Sequence, residues 1–520
     1  MLPSTFDVFG PIMVGPSSSH TAGALRIAQV AADVAPKPIK SVEFVLYNSF
    51  SATYRGHGTD KALVAGILGM RSFDPKVPDS FEYAKQKGLK YSFVAAGTDI
   101  ALHPNTVDIN MDFGDDYPIS VRGESRGGGK VRIVGINGQE IKIRGEHPAL
   151  IVHHKDSKGA LATMTGLFAK ADINIASLRS SRDDVSGNTY TIIESDQKIT
   201  QGIVDTMRAL DYVHWAERVA VPGETTASSI DAVKTEFGTV AELLDLCHAE
   251  NTDIATLMKR REIELTGSAE EVDQQMEHVR RVMEHSITAT IEKPERSLGG
   301  YLDGQARAVA KADFAQPDEL LGERLTKAVS YAMAVLELSA CMGVIVAAPT
   351  AGSAGVVPGA LYAFTREPAL IERGLYTAAA IGAIIMNNAS VSGAEGGCQA
   401  EVGSAAAMTA AALCAMQGAS PDVCCQAATI SIGNLLGLVC DPVKGLVEYP
   451  CQNRNAIGVA SAYSAAQLAL SGVTNPVTLD EAIAAQASVG HLLPESLRET
   501  AQGGLAMCPS VCDSCAQPCS

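Results

Sequence analysis

The sequence predicts a multidomain protein. An α+β domain spans residues 1–147, a small βαββαβ domain 148–221, and an all-α domain 236–520, with a linker over 222–235. Three observations predict this. A chain of 520 residues holds about three domains at roughly 100–200 residues each. Its texture changes twice, from mixed helix and strand periods to a short regular alternation, then to almost unbroken helical period. The stretch PGETTASSIDAVK is small and polar, as a linker is.

The first domain reads as a helix over Ala22–Ala35, a strand over Ser41–Tyr47, a helix over Thr59–Leu68, and strands around Val107–Phe113 and Lys130–Ile136. RGESRGGGKVRI has the look of a phosphate loop but fails the pattern. Glu124 stands where the first glycine belongs, and Val131 where Ser or Thr must follow Lys130. It reads as a hairpin turn.

The second domain runs ALIVHH (strand), KGALATMTGLFAKA (helix), INIASLRSSR and NTYTIIES (strands), TQGIVDTMRAL (helix) and HWAERVAV (strand). That order is the ferredoxin-like arrangement. With the turn DSKGALA, Gly159 between strand and helix, and the pair Asn174-Ile175, the segment resembles an ACT domain, a small amino-acid-sensing module. In the third domain Val272, Met276, Val279, Met283 and Ile287 mark one face of an amphipathic helix. From Leu325 to Leu470 the chain is rich in Ala, Gly and Ser, whose small side chains let helices approach closely.

Charge and composition exclude several functions. The net charge is −17 with no basic stripe, which argues against a nucleic-acid footprint. Apolar runs such as Met342–Pro349 and Ala378–Met386 are too short to span a bilayer. MLPSTFDVFGPIMVG lacks a basic region followed by an apolar one, so no secretory signal is expected. The expected setting is a reducing cytoplasm, where the twelve cysteines stay as thiols. Cys247, Cys341, Cys414, Cys424 and Cys425 lie in Ala-rich helical sequence and read as small buried hydrophobes.

Three other cysteines stand beside Gly, Pro or Asn: Cys398 in GGCQAEVGS, Cys440 in GLVCDPVKG and Cys451 in VEYPCQNRN, spaced C-x41-C-x10-C. A structural zinc commonly draws on close C-x2–4-C pairs, which these lack. A 4Fe–4S cluster takes thiolates on iron and tolerates one non-protein ligand. Gly-rich loops accompany them. In APTAGSAGVVPG, backbone N–H groups with Thr350, Gly352 and Ser353 offer a cradle for a carboxylate. NNASVSGAEGGCQAEVGSA supplies amides and hydroxyls, with Asn388 and Ser390 as candidate substrate-binding residues, beside Cys398.

These loops, with LGLVCDPVKGLVEYPCQNRNA, resemble the catalytic α region of bacterial iron–sulfur L-serine dehydratases. GPSSSHTAG, RGHGTDKA and LHPNT resemble the β region of that family, so the likeness covers nearly the whole chain. The resemblance implies a 4Fe–4S cluster on Cys398, Cys440 and Cys451, no pyridoxal phosphate, and conversion of L-serine to pyruvate and ammonia. It implies catalytic roles for His57, His20 and His103, with His57 favoured as the base because histidine titrates near working pH. Ser17, Ser18 and Ser19 become candidates for the substrate carboxylate, or plain caps of the following helix. If the histidines serve the cluster, the first and third domains meet at the site. The ACT unit implies an amino-acid effector site or a dimerisation module, and a homodimer is expected.

The tail CPSVCDSCAQPCS adds Cys508, Cys512, Cys515 and Cys519. One of them, with Cys512 favoured, is a candidate to cap the fourth iron. A separate metal site and an unattached tail are the alternatives. Three rival functions stay open: a related iron–sulfur lyase acting on cysteine or threonine, a pyridoxal-phosphate dehydratase, and a non-catalytic amino-acid sensor. The second lacks a convincing cofactor lysine, and the third leaves the loop cysteines without a role.

Overall fold

The structure, a computed structural model, describes residues 2–114, 118–127, 130–143, 147–182, 187–219, 233–312 and 320–511. They fall into two compact units, one formed by residues 2–18 with 233–511 and the other by residues 19–219.

The chain opens with a capped turn of helix, Thr5–Val8, and strand β1 (Ile12–Val14). In the second unit a sheet then assembles from β2 (Ser41–Tyr47), β3 (Lys90–Gly97), β4 (Thr106–Asp112), β5 (Ile119–Gly127), β6 (Lys130–Ile136) and β7 (Gln139–Ile143). The order is β3-β2-β4-β5-β6-β7, with only the β2–β3 pair parallel. Alternation drives it. Val42, Phe44 and Leu46 are buried on one face of β2, and Phe44 lies opposite the equally buried Ile109. The helix Ala24–Val34 packs on this sheet so closely that a side chain at Gly123 would collide with Ile27. β5 and β6 pair antiparallel, Gly127 opposite Lys130; Gly128 and Gly129, on which the hairpin-turn reading falls, lie outside the described residues.

The same unit continues with β8 (Ala149–Lys155), a helix Ala160–Lys170, β9 (Ile175–Arg182), β10 (Asn188–Ser195), a helix Gln201–Arg208 and β11 (Val213–Val219). Its antiparallel sheet runs β11-β8-β10-β9. Leu150, Val152, Met164, Phe168, Ile193, Val204, Met207 and Ala216 form one core between sheet and helices. Gly159 takes the left-handed conformation (φ +82°) where β8 turns into the helix.

Among the described residues the first unit is helical, with one strand pair as the exception. The short strand β12 (Val344–Val346) pairs antiparallel with β1, Ile12 opposite Val346. This corrects the all-α expectation, and the structure groups residues 2–18 with the helical unit instead of the first α+β segment. The reason is pairing: a three-residue apolar strand has no local partner and finds one far along the chain. The fully buried Arg261 reinforces the join, donating to the carbonyls of Leu2 (2.7 Å) and Pro3 (3.2 Å). Most of the expected linker lies outside the described residues.

Helix Ala269–Ser286 buries Val272, Met276, Val279 and Met283 on one face, with Ile287 just beyond. Every residue of Ser404–Met416 is buried, within a packing of Pro368–Asn388, Pro421–Leu435 and Cys451–Leu470. Alanine-rich faces permit this, since a bulkier residue there overpacks at about 1–3 kcal/mol. Helix Pro368–Asn388 is long and apolar enough to cross a bilayer, contrary to the reading of its short runs. Yet 72% of its most apolar window is buried inside the protein, as in a core helix.

Candidate functional site

One short helix, Asn48–Thr53, organises three histidine loops. Its Ser49 hydroxyl lies 2.7 Å from His20 Nε2, and its Thr53 carbonyl accepts from His57 Nδ1 at 3.3 Å. Asn48 donates to the carbonyls of Leu102 (3.2 Å) and His103 (3.3 Å). The His20 and His57 rings stack with centroids 4.5 Å apart, and both are buried. Gly58, left-handed at φ +63°, turns the RGHGTD loop into the helix Thr59–Ile67. Burial pushes His57 down to about 4. Burial and then the neighbouring His57 push His20 well below its usual value. Both rings are therefore neutral near pH 7. A carbonyl can only accept, so Nδ1 of His57 carries the proton and Nε2 is its basic nitrogen. His103 is partly buried, and its Nδ1 accepts from the Asn105 N–H at 3.2 Å, bracing its own loop.

In the helical unit Cys398, Cys440 and Cys451 are all buried. The Cys398 and Cys440 thiols are in hydrogen-bond contact, which with burial raises Cys440 well above the usual thiol range. Burial and then the charge of Cys398 raise Cys451. A carboxylate joins them: ligand atoms of Cys398, Glu401 and Cys440 all lie within 4.8 Å of one another. Burial holds Glu401 above the usual carboxylate range, and the Thr350 hydroxyl donates to it at 2.7 Å. The cation is Arg454, whose Nη1 donates to Cys398 Sγ at 3.3 Å. Partly buried Glu499 is pushed up to about 8 by burial and by the charge of Glu401.

Cys398 ends a tight turn and begins a π-helical turn over Gln399–Gly403, which sets Glu401 on the same side. Cys451 opens the helix Cys451–Leu470, so Arg454 and Asn455 follow three and four residues later on one face. Fully buried Asn455 donates to the carbonyls of Gly352 (2.8 Å) and Cys451 (2.9 Å) and accepts from the Gly355 N–H at 3.1 Å. It thereby ties the Thr350 loop to the Cys451 turn.

Other singled-out residues take varied places. Thr350 and Ser353 hydroxyls sit 3.1 Å apart, and Ser353 also donates to the Ala348 carbonyl. A protein carboxylate, Glu401, thus already uses the Thr350 donor. Asn388 is exposed and donates to the carbonyls of Gly238 and Ile384. Ser390 accepts from the Ser392 N–H. Ser17 and Ser18 are buried and Ser19 partly so. They lead into a π-helical turn, Ser18–Gly23, which runs on into the helix Ala24–Val34. Cys247, Cys414, Cys424 and Cys425 are buried, whereas Cys341 is half-exposed with its thiol on the Glu295 carbonyl. Cys508 is partly buried. Cys512, Cys515 and Cys519 lie outside the described residues.

Glu401, Asp441, Arg454, Asn455 and Glu499 were not singled out from the sequence. A signal existed for some. Glu401 is three residues past Cys398, and Arg454 and Asn455 lie one helical turn past Cys451.

Comparison with known proteins places the whole assembly. Residues 4–124 match the serine dehydratase beta chain model, 149–211 the ACT domain model and 249–506 the serine dehydratase alpha chain model. L-serine dehydratase 2 of Escherichia coli is 31% identical over 98% of this chain and its own full length. This chain belongs to the serine dehydratase family. In Peptoniphilus asaccharolyticus the L-serine dehydratase is divided. Its alpha chain is 42% identical over 52% of this chain and 94% of its own length, and its beta chain 38% identical over 42% and 98%. Within the serine dehydratase frame the stacked histidines fall in the beta-chain match, and the three loop cysteines with Glu401 and Arg454 in the alpha-chain match.

Proposed function

We propose that this chain is an L-serine ammonia-lyase, converting L-serine to pyruvate and ammonia, with a 4Fe–4S cluster on Cys398, Cys440 and Cys451. The observation that carries the reading is the gathering of buried thiols with a cation beside them. The donor set fits the cluster. Thiolates are soft ligands suited to iron–sulfur, and Arg454 offsets their charge at Cys398. When bound, such a cluster supplies a Lewis-acidic iron to ease departure of a hydroxyl group.

The chain's own residues supply the rest. His57 is the proposed base: its Nε2, neutral because burial depresses the ring, takes the Cα proton of serine. His20, stacked on it and held by Ser49, orients the ring. His103 is proposed to orient substrate or share protons from its own loop. Thr350, Gly352, Ser353, Asn388 and Ser390, with Ser17, Ser18 and Ser19, are the proposed substrate-binding groups; the Thr350 loop would serve through its backbone N–H groups, since the Thr350 hydroxyl is engaged with Glu401. Loss of the Cα proton and of the hydroxyl as water leaves an enamine. It tautomerises to an imine, and water hydrolyses that to pyruvate and ammonia.

The antiparallel β8–β11 module is read as a ferredoxin-like ACT domain that takes an amino-acid effector, serine being the first to try, or that pairs two copies of the chain. The expected setting is cytoplasmic, with the thiols reduced. The deciding experiment is anaerobic purification of the full chain. Iron and sulfide near four per chain by the 4Fe–4S stoichiometry, serine turnover exceeding that of threonine and cysteine, and loss of both iron and activity in Cys440→Ser are the expected results. Full serine turnover by an iron-free protein refutes the reading.

A further inference from the structure

We propose that Arg454 is a positioning residue for the Cys398 thiolate, and that the C-terminal segment holds it in place through Asp441. The inference rests on the cluster reading above and extends it to the surrounding residues. The Arg454 guanidinium, with 13% of its side chain exposed, spans three acceptors. Nη1 donates to Cys398 Sγ (3.3 Å) and to the Val439 carbonyl (2.8 Å), and Nη2 donates to Asp441 Oδ1 (2.6 Å). The second carboxylate oxygen of Asp441 accepts from the Leu505 N–H at 2.7 Å.

The C-terminal segment therefore grips the cysteine loop at several points. The Cys440 N–H donates to the Leu497 carbonyl and the Cys440 carbonyl accepts from the Glu499 N–H, both at 2.8 Å. Gly504 is left-handed (φ +59°) and lies against the Asp441 carboxylate so closely that a side chain there would collide with it. A chain thus runs from Leu505 through Asp441 and Arg454 to Cys398, parallel to the backbone clamp on Cys440.

The physical case is one of charge and direction. Buried thiolates gathered in one place repel each other and lose solvation, and a directed cation relieves both costs. Hydrogen bonds to cluster sulfurs tune reduction potential, and partners outside the ligand set typically change metal affinity or activity by 10–100-fold. Lysine is a poor substitute. It offers a point charge, whereas the planar fork of arginine reaches sulfur, carbonyl and carboxylate together. A merely structural Arg454 at the start of its helix predicts none of the spectroscopic consequences.

The test uses full-length protein purified anaerobically, with iron and sulfide content, electron paramagnetic resonance of the reduced cluster, and the rate of bleaching in air. R454Q is expected to bleach roughly tenfold faster than the wild type and to shift the resonance, on the usual scale for such partners. R454K and D441N are expected to shift it in the same direction by less. Wild-type content, resonance and bleaching in R454Q overturn the inference. Should R454Q fail to fold, D441N decides, since it keeps the guanidinium and loosens only its anchor; an unshifted D441N resonance overturns the proposal. Wild-type protein free of iron and sulfide overturns the cluster reading itself, whereas a loaded wild type with indifferent variants overturns this inference alone.

Discussion

Replacing Asn455 with alanine tests whether one buried amide holds the site together. Its side chain satisfies the Gly352 carbonyl and the Gly355 N–H, both remote in sequence, besides the Cys451 carbonyl in its own helix. Asn455 has no exposed surface, so water has no ready access to the two remote groups after truncation. An orphaned buried polar group costs about 1–3 kcal/mol. Two of them set an expected loss of roughly 2–6 kcal/mol, concentrated where the Thr350 loop meets the Cys451 turn. Global fluorescence is a poor probe, because the single tryptophan, Trp215, lies in the other unit. Amide hydrogen exchange is the better assay, read on peptides covering Ala348–Gly359 and compared with the helix Ala269–Ser286 as an internal control. Exchange in the loop should quicken at least about thirtyfold, as 2 kcal/mol requires, while the control stays unchanged. Loop exchange within twofold of the wild type refutes the argument that Asn455 is the tie.

Further predictions concern Gly393, His57 and Glu262. Gly393→Ala places a methyl carbon 2.6 Å from Glu401 Oε2 and 3.3 Å from Cys440 Sγ, so iron content and turnover should fall while circular dichroism keeps the helical signal; unchanged iron content counters it. His57 is held neutral down to about 4, so the acid limb of kcat/KM should lie well below pH 6.5, and a limb at 6.5 tells against His57 as the base. The same depressed value means the unfolded chain takes up the proton first, so stability is complete above pH 6.5 and declines by roughly 3 kcal/mol as pH falls to about 4. Glu262 behaves oppositely. Burial raises it to about 7 against 4.5, so its contribution is present below pH 4.5 and lost as pH rises through 7. Glu262→Gln should therefore stabilise the helical unit at pH 8 by up to about 3 kcal/mol in urea unfolding, and a destabilised variant at that pH contradicts the sign.

Much of the local structure was legible because its signals are local. The alternation of Val42, Phe44 and Leu46 marks a strand, and the spacing of Val272, Met276, Val279 and Met283 marks a helix, whatever surrounds them. The strands Lys90–Gly97 and Gln139–Ile143 were not read. The first is mostly exposed, so burial leaves little apolar pattern in it, and the second is a short edge strand. The pairing of β1 with β12 was equally hidden, since three residues carry too little period to name a distant partner.

The site divides along the same line. The candidate loops were legible in the chain alone: the glycine-flanked His57, the three cysteines at chain turns and the Thr350 loop are conspicuous because unusual backbone and unusual chemistry coincide there. The tertiary structure alone decided their company. It stacked His20 on His57, set Glu401 against two thiols, aimed Arg454 at Cys398 and bound Asp441 to Leu505. The reason is physical. A turn or a helix is specified by residues a few positions apart, whereas the charge, burial and hydrogen bonds that make a thiol or an imidazole reactive come from residues brought near only when the core closes.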